Sequence, residues 1–148
     1  MALAGRRHGA IIINLKAVLA PYCKNPRDWI CFATDTAYTM AYANWRCPDA
    51  ALVRVERFPG RKVSDSAGDF PPDVEFEVYS PGDTASRVAS KRKDYLNNGV
   101  IQVWIDPEAR SAELIEPDRP VQHFDESQPL VIGKLQGFAL NLHALFEV

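Results

Sequence analysis

Three carboxylate side chains alternate with apolar side chains near the middle of the chain. Asp73, Glu75 and Glu77 are each separated by one apolar residue, so this segment has the two-residue period of a β-strand. Three like charges on one face of a strand repel one another. Exposure to water or a cation bound between the carboxylates would remove that cost, so the pattern indicates either a solvated strand face or a metal site.

A metal site of this kind could hydrolyse a phosphodiester bond. Asp49 opens another predicted strand, and adjacent strands lie roughly 5 Å apart at the backbone, so Asp49 and Glu77 could share one Mg²⁺ if their strands pair in register. A Mg²⁺ held by two carboxylates lowers the pKa of bound water and polarises a phosphoryl oxygen. Lys91, on the following predicted helix, could orient the water or stabilise developing charge, whereas Lys93 projects to the opposite side.

Each of these residues also has a plainer interpretation. Asp49 can be a capping or solvated aspartate that follows a proline, and Lys91 can be an ordinary lysine on a helix surface. Glu77 stands just before an apolar turn segment, which favours a functional role over a solvent-facing one. We expect Asp73 and Glu75 either to lie on the solvent side or to lie behind the ligands, where they would contact the ligand residues and not the ion. Two close carboxylates already suffice for one ion.

Composition and charge limit the class of protein. The 148 residues are 47% hydrophobic, which is enough for one domain with a sizeable core. The net charge of -2 indicates an ordinary soluble protein, so a nucleic-acid partner would need a local basic patch. No apolar run is long enough to span a bilayer. The basic residues that could form such a patch are Arg6, Arg7, Lys16, Arg87, Lys91, Arg92 and Lys93.

The three cysteines and the histidines give no further site. Cys23, Cys31 and Cys47 have neither zinc-site nor Cys-x-x-Cys spacing, which predicts buried free thiols in a reducing cytoplasm and argues against a redox protein. His8 could reach a phosphate, but we expect the chain to be frayed at this N-terminal position. His123 has no visible partner for metal binding.

The predicted elements follow an α/β order. Asp83 is expected to cap the second helix, and Asn98-Gly99 to end it. The strand, helix and strand between residues 74 and 105 predict a crossover connection and therefore a parallel strand pair. The predicted helices cover 8–23, 83–97 and 143–146, and the predicted strands cover 29–34, 38–44, 49–56, 74–79, 100–105 and 111–116, with another short strand or two within 122–142.

Several short motifs, taken in order, resemble the Uma family of restriction-endonuclease-like proteins in the PD-(D/E)XK nuclease superfamily. The resemblance implies an α/β fold with a mixed sheet flanked by helices and an acidic metal site at the sheet edge. Two departures stand out: the family's N-terminal strand pair is expected to be missing, and Tyr79 occupies the usual lysine position, so that Lys91 would supply the lysine. The motifs are His8-Gly9, Pro48-Asp49, Pro72-Asp73, Glu77-Val78-Tyr79-Ser80-Pro81, Lys91, Tyr95, Gly99-Val100 and Val103-Trp104-Ile105-Asp106-Pro107.

The sequence therefore predicts one PD-(D/E)XK nuclease-like domain over residues 1–148 that acts as a Mg²⁺-dependent DNA endonuclease. Asp49 and Glu77 would hold Mg²⁺, or Mn²⁺ as a substitute, and Lys91 would assist at the phosphate. A homodimer is compatible with cutting two strands. The alternative is a catalytically silent domain that binds or assembles, in which Lys91 would turn to solvent or the carboxylates would be bridged by other side chains.

Overall fold

A computed structural model gives the fold of residues 5–24 and 28–148. Three α-helices are present in this part of the chain, α1 (Arg6–Leu19), α2 (Ala85–Asn97) and α3 (Leu142–Phe146). A turn of 3₁₀ helix, Ala20–Cys23, follows α1 directly. The strands are β1 (Trp29–Ala33), β2 (Tyr38–Thr39), β3 (Trp45–Arg46), β4 (Ala50–Arg54), β5 (Val74–Val78), β6 (Ile101–Asp106), β7 (Ser111–Ile115) and β8 (Gln122–Phe124).

Six of the strands form one mixed sheet in the order β1-β4-β5-β6-β7-β8. The central strands β5 and β6 are parallel and are connected through α2, which confirms the predicted crossover. Each of the other pairs in this sheet is antiparallel. The sequence-based expectation of a mixed sheet flanked by helices is therefore correct.

Helices cover both faces of the sheet, and β5 is consequently buried along its whole length. Its apolar residues Val74, Phe76 and Val78 join the core that includes residues of α1 and α3. Its carboxylates point to the opposite face, where Tyr95 of α2 forms part of a second cluster. Of the two places expected for Glu75, the solvent side is wrong, because this face is covered and Glu75 is 0% exposed; a place behind Glu77 agrees with the structure.

The ends of α2 are defined by specific hydrogen bonds. The N-cap is Thr84, whose side chain accepts from the backbone N–H of Arg87, and not Asp83 as predicted. Asp83 instead accepts a hydrogen bond from the backbone N–H of Ser80, which closes the turn before the helix. At the other end, Gly99 has a positive φ of 69°. The backbone N–H of Val100 donates to the carbonyl of Tyr95 in a Schellman arrangement, so the predicted helix end is confirmed.

The predicted strand 38–44 is interrupted. Strands β2 and β3 form a separate two-stranded sheet. The turn between them contains Tyr42 and Ala43, whose φ values are 64° and 60°. Left-handed backbone at residues other than glycine breaks a strand and carries a free-energy cost. The turn leads through β3 to Asp49, which lies just before β4 instead of inside it. In the described part of the chain, no helix has the length and hydropathy needed to cross a membrane.

Candidate active site

Asp49 and Glu77 lie at the same end of the neighbouring strands β4 and β5. Strands β4 and β5 pair antiparallel with Ala50 facing Phe76, so continuing this register by one step places Asp49 opposite Glu77. Asp49 Oδ2 accepts a hydrogen bond of 2.8 Å from the backbone N–H of Val78, which fixes the aspartate at the end of β5. The backbone pairing itself ends at Ala50 and Phe76, one step before these two residues, so both carboxylates stand at the same end of the β4–β5 pair.

Glu77 is 4% exposed and receives hydrogen bonds on both carboxylate oxygens. Lys91 Nζ donates to Oε2 at 2.8 Å, and the Tyr95 hydroxyl donates to Oε1 at 3.1 Å. Burial raises the pKa of Glu77 to about 7, although the nearby ammonium of Lys91 acts in the opposite direction. Without an additional positive charge, this carboxyl is therefore partly protonated near neutral pH.

Lys91 projects from α2 to the site, whereas Lys93 on the same helix is exposed. Desolvation lowers the pKa of Lys91, but the charges of Glu77 and Asp49 outweigh it, and the net pKa is raised. Lys91 is therefore a permanent cation at neutral pH. The structure brings together all three residues that the sequence singled out, Asp49, Glu77 and Lys91.

Glu75 is a third carboxyl next to the site, and neither of its oxygens has a hydrogen-bond partner within the described part of the chain. Desolvation, followed by the charge of Glu77, raises its pKa well above the ordinary value, which favours a neutral Glu75 at physiological pH. Asp73 is different, because its Oδ2 accepts from the Arg54 backbone and from the Arg57 guanidinium at 2.9 Å each. Asp73 therefore stabilises the start of β5 and takes no part in the site.

His8 is a site residue whose place the sequence reasoning missed. The expectation of a frayed chain end is wrong, because α1 begins at Arg6 and His8 lies within it. His8 Nε2 is 2.9 Å from the carbonyl oxygen of Val78 and 3.3 Å from Asp49 Oδ2. The hydrogen bond to Asp49 raises the pKa of His8, against the lowering effect of burial. The His8-Gly9 pair of the family resemblance was the sequence signal for this residue, but only the fold shows what the imidazole contacts.

The donor set fits a hard divalent cation. Mg²⁺ is usually held through one or two carboxylates and keeps several waters, so Asp49 and Glu77 supply a sufficient set of protein oxygens. Burial raises the pKa of Glu77, and a bound cation would favour the ionised carboxylate and so act against that shift. Among residues 5–24 and 28–148, no group of three or more Asp, Glu, His or Cys side chains is placed to hold a metal. A metal ion at this position would therefore have at most two such side chains from this part of the chain as ligands.

The predicted basic patch is only partly available for a ligand. Arg92 forms an ion pair with Glu113 and lies 5.0 Å from the ring centroid of Trp104, so it is used within the fold. Arg7 donates to the carbonyl of Pro107 at 2.8 Å. Arg87 and Lys93 remain exposed on α2. Beside the site, a cavity of about 450 Å³ is lined by the start of α1 and by the turns that follow β5 and β6.

Comparison with protein families identifies the chain's relatives. The model of the Uma2 family, described as "Putative restriction endonuclease", matches residues 1–143. The chain belongs to the Uma2 family. This assignment confirms the resemblance on which the sequence-based hypothesis depended. No curated protein matches the chain in sequence.

The fold of this Uma2 member is also found in a solved structure. A crystal structure from Anabaena variabilis ATCC 29413, described as a putative nuclease belonging to DUF820, superimposes with a TM-score of 0.87. The two sequences are 19% identical, and the match covers 98% of this chain and 83% of the other. At this identity the similarity shows a shared fold, and the site residues of the Uma2 chain have to be argued from its own geometry.

Proposed function

We propose that this Uma2 protein is a metal-dependent DNA endonuclease that hydrolyses phosphodiester bonds. The observation that carries the proposal is the placement of Asp49 opposite Glu77, with the ammonium of Lys91 on the Glu77 carboxylate. Two carboxylates and one lysine at a sheet edge are a suitable set for a metal ion and for a phosphate next to it. The family description supports the same class of reaction.

Each residue has a distinct role in the proposed reaction. Asp49 and Glu77 would hold Mg²⁺ or Mn²⁺, which when bound lowers the pKa of a coordinated water and withdraws charge from the phosphoryl oxygens. Lys91 would leave Glu77 as the carboxylate binds a cation, and its ammonium would then be free to stabilise the negative charge that develops on the phosphate. His8 would hold the Asp49 carboxylate in place, because it contacts both Asp49 and the end of β5.

DNA binding would rely on the cations that the fold leaves free. Arg87 lies one helical turn before Lys91 on α2, and Lys93 and Arg6 are also exposed. These exposed side chains could contact the sugar-phosphate backbone. A homodimer in the cytoplasm would supply two active sites for the two strands. Sedimentation velocity with and without a DNA duplex would measure the oligomeric state.

A second candidate function has a specific observation in its favour. Protein donors already contact both carboxylates, since Val78 and His8 contact Asp49, and Lys91 and Tyr95 contact Glu77. This bridging is the arrangement expected for a catalytically silent domain that serves as a binding or assembly module. The two candidates differ in one property, because only the nuclease requires a divalent cation to displace these contacts.

The test is a calorimetric titration of Mn²⁺ and Mg²⁺ into the natural protein and into Glu77→Ala, followed by plasmid cleavage with the same proteins. Glu56→Ala is a matched control, because the Glu56 side chain is 66% exposed and lies outside the site. For a nuclease we expect metal binding and nicking in the natural protein and in Glu56→Ala, and neither in Glu77→Ala. Absence of metal binding in the natural protein would contradict the nuclease proposal and support the silent module.

A further inference from the structure

Two of the three cysteines meet at the other end of α1, away from the proposed active site. Cys23 ends the 3₁₀ turn that follows α1, and Cys31 is the middle residue of β1. Both thiols are half-buried, and both pack against the core cluster that includes residues of α1. They line the same cavity of about 440 Å³, to which Lys16 also contributes. The expectation that all three thiols are buried is wrong, and Cys47 is exposed.

The two thiols of the pair are not equivalent. The hydrogen bond from Cys31 lowers the pKa of Cys23, against the raising effect of burial. The same hydrogen bond and burial raise the pKa of Cys31. Cys23, whose thiol donates to the carbonyl of Leu19, is therefore the one of the two that loses its proton more readily. A thiolate is the nucleophilic form of cysteine, and a neighbouring thiol is needed to complete a disulfide.

We propose that Cys23 and Cys31 form an oxidation site that hydroperoxides convert into an intramolecular disulfide. In the first step the Cys23 thiolate attacks one oxygen of the peroxide, the O–O bond breaks, and the products are a sulfenic acid on Cys23 and hydroxide or alkoxide. In the second step the Cys31 sulfur attacks the Cys23 sulfur, the S–O bond breaks, and water leaves with the thiol proton. Both sulfurs are oxidised. Hydrogen peroxide is reduced to water, and an organic hydroperoxide is reduced to an alcohol and water.

The disulfide would join two elements that support the proposed active site. Helix α1 carries His8 at its other end, where it contacts Asp49. Strand β1 pairs along its whole length with β4, whose first residue follows Asp49. Oxidation would therefore restrict the movement of α1 against the sheet, and we expect the oxidised protein to unfold at a higher urea concentration than the reduced protein.

The test is oxidation of the reduced full-length protein with hydrogen peroxide, followed by alkylation under denaturing conditions, intact mass measurement and non-reducing peptide mapping. Before alkylation, the mass of the protein should fall by the mass of two hydrogen atoms. Cys47 should then be the one cysteine that still reacts with the alkylating reagent. The mapped cross-link should join the Cys23 and Cys31 peptides. A cross-link to Cys47, or loss of Cys47 alone, would overturn the proposal.

Single variants separate the two steps. In Cys31→Ser, the sulfenic acid on Cys23 has no resolving thiol and should accumulate as an adduct with dimedone. In Cys23→Ser the adduct should be absent, and Cys47→Ser should form the disulfide as the natural protein does. A dimedone adduct on Cys31 in Cys23→Ser at the same rate would contradict the assignment of the nucleophile. Because all readouts are chemical, they do not depend on nuclease activity, and the mapping of the natural protein does not depend on whether a variant folds.

Discussion

Lys91 and Glu77 form an ion pair between α2 and β5, with Lys91 Nζ 2.8 Å from Glu77 Oε2. Glu77 is almost completely buried and Lys91 is half-buried, so the pair is less screened by solvent and salt than a surface pair. The α2 crossover is what brings the two residues together, because it returns the chain along the sheet immediately after β5. The proposed metal site thus contains its own cation, which a divalent ion must displace from the carboxylate.

The first prediction concerns the ammonium of Lys91. Lys91→Met removes the charge and keeps most of the apolar stem. We expect Mn²⁺ to bind at least as tightly as in the natural protein, because no ammonium competes for Glu77. Plasmid cleavage should fall by about 100-fold, since a preorganised group that stabilises developing charge is worth roughly that factor. Calorimetric titration and nicking rates measure the two quantities separately.

Lys93→Met is the control for this prediction, because Lys93 lies on the same helix and its side chain is exposed. It should bind Mn²⁺ normally and lose at most a small part of its activity through weaker contact with DNA. Equal cleavage rates in Lys91→Met and in the natural protein would exclude a catalytic role for Lys91.

The central part of the fold could be predicted because its signals are local. Alternation in β5 and the Asn98-Gly99 helix end both depend on neighbouring residues, and both are confirmed. The break at Tyr42 could not be predicted in this way, because a positive φ at a tyrosine has no signature in composition or spacing. Alternation also indicates which face a side chain takes, but not whether a helix covers that face, and so the burial of Glu75 was missed.

The candidate site could be predicted in part for the same reason. Asp49, Glu77 and Lys91 were identified from their types, their spacing and the family resemblance, and the structure brings them together. His8 was not assigned a role, because its contact with Val78 joins residues that lie 70 positions apart. Contacts of this kind depend on how α1 packs across the end of the sheet.

The second prediction is a pH dependence of stability in the metal-free protein. The pKa of Glu77 is raised from 4.5 to about 7, chiefly by desolvation, so the native state keeps a proton that the unfolded state releases. This contribution is fully present below about pH 4.5 and is lost as the pH rises through about 7. A shift of this size corresponds to about 3 kcal/mol.

Urea unfolding at about pH 5 and about pH 8 measures this dependence. The free energy of unfolding should be lower at the higher pH, and Glu77→Gln should reduce the difference because the amide does not titrate. Some dependence should remain in the variant, since Glu75 also has a raised pKa and acts with the same sign. Stability that increases over this range would show that Glu77 is ionised in the native protein at low pH.

The third prediction concerns Glu75, whose carboxyl oxygens are buried without hydrogen-bond partners among residues 5–24 and 28–148. Glu75→Met keeps a similar volume and removes the unsatisfied polar group. We expect the free energy of unfolding to increase by about 1–3 kcal/mol, which is the usual cost of burying such a group. Nicking activity should be retained if Asp49 and Glu77 are the ligands. A less stable variant, or one that no longer binds Mn²⁺, would show that Glu75 has a polar partner or holds the cation itself.

The fourth prediction concerns His8, which connects α1 to the end of β5 and to Asp49. His8→Ala leaves the Val78 carbonyl and one Asp49 oxygen without this contact, and we expect a loss of about 1–2 kcal/mol in the free energy of unfolding. Mn²⁺ affinity should also fall, because Asp49 is held less firmly. His8→Gln should restore part of both, since its amide can donate to the Val78 carbonyl. His123→Ala is the matched control, because the His123 side chain is 73% exposed and lies 3.5 Å from Glu113. Equal loss in the two alanine variants would show that His8 has no specific role at the site.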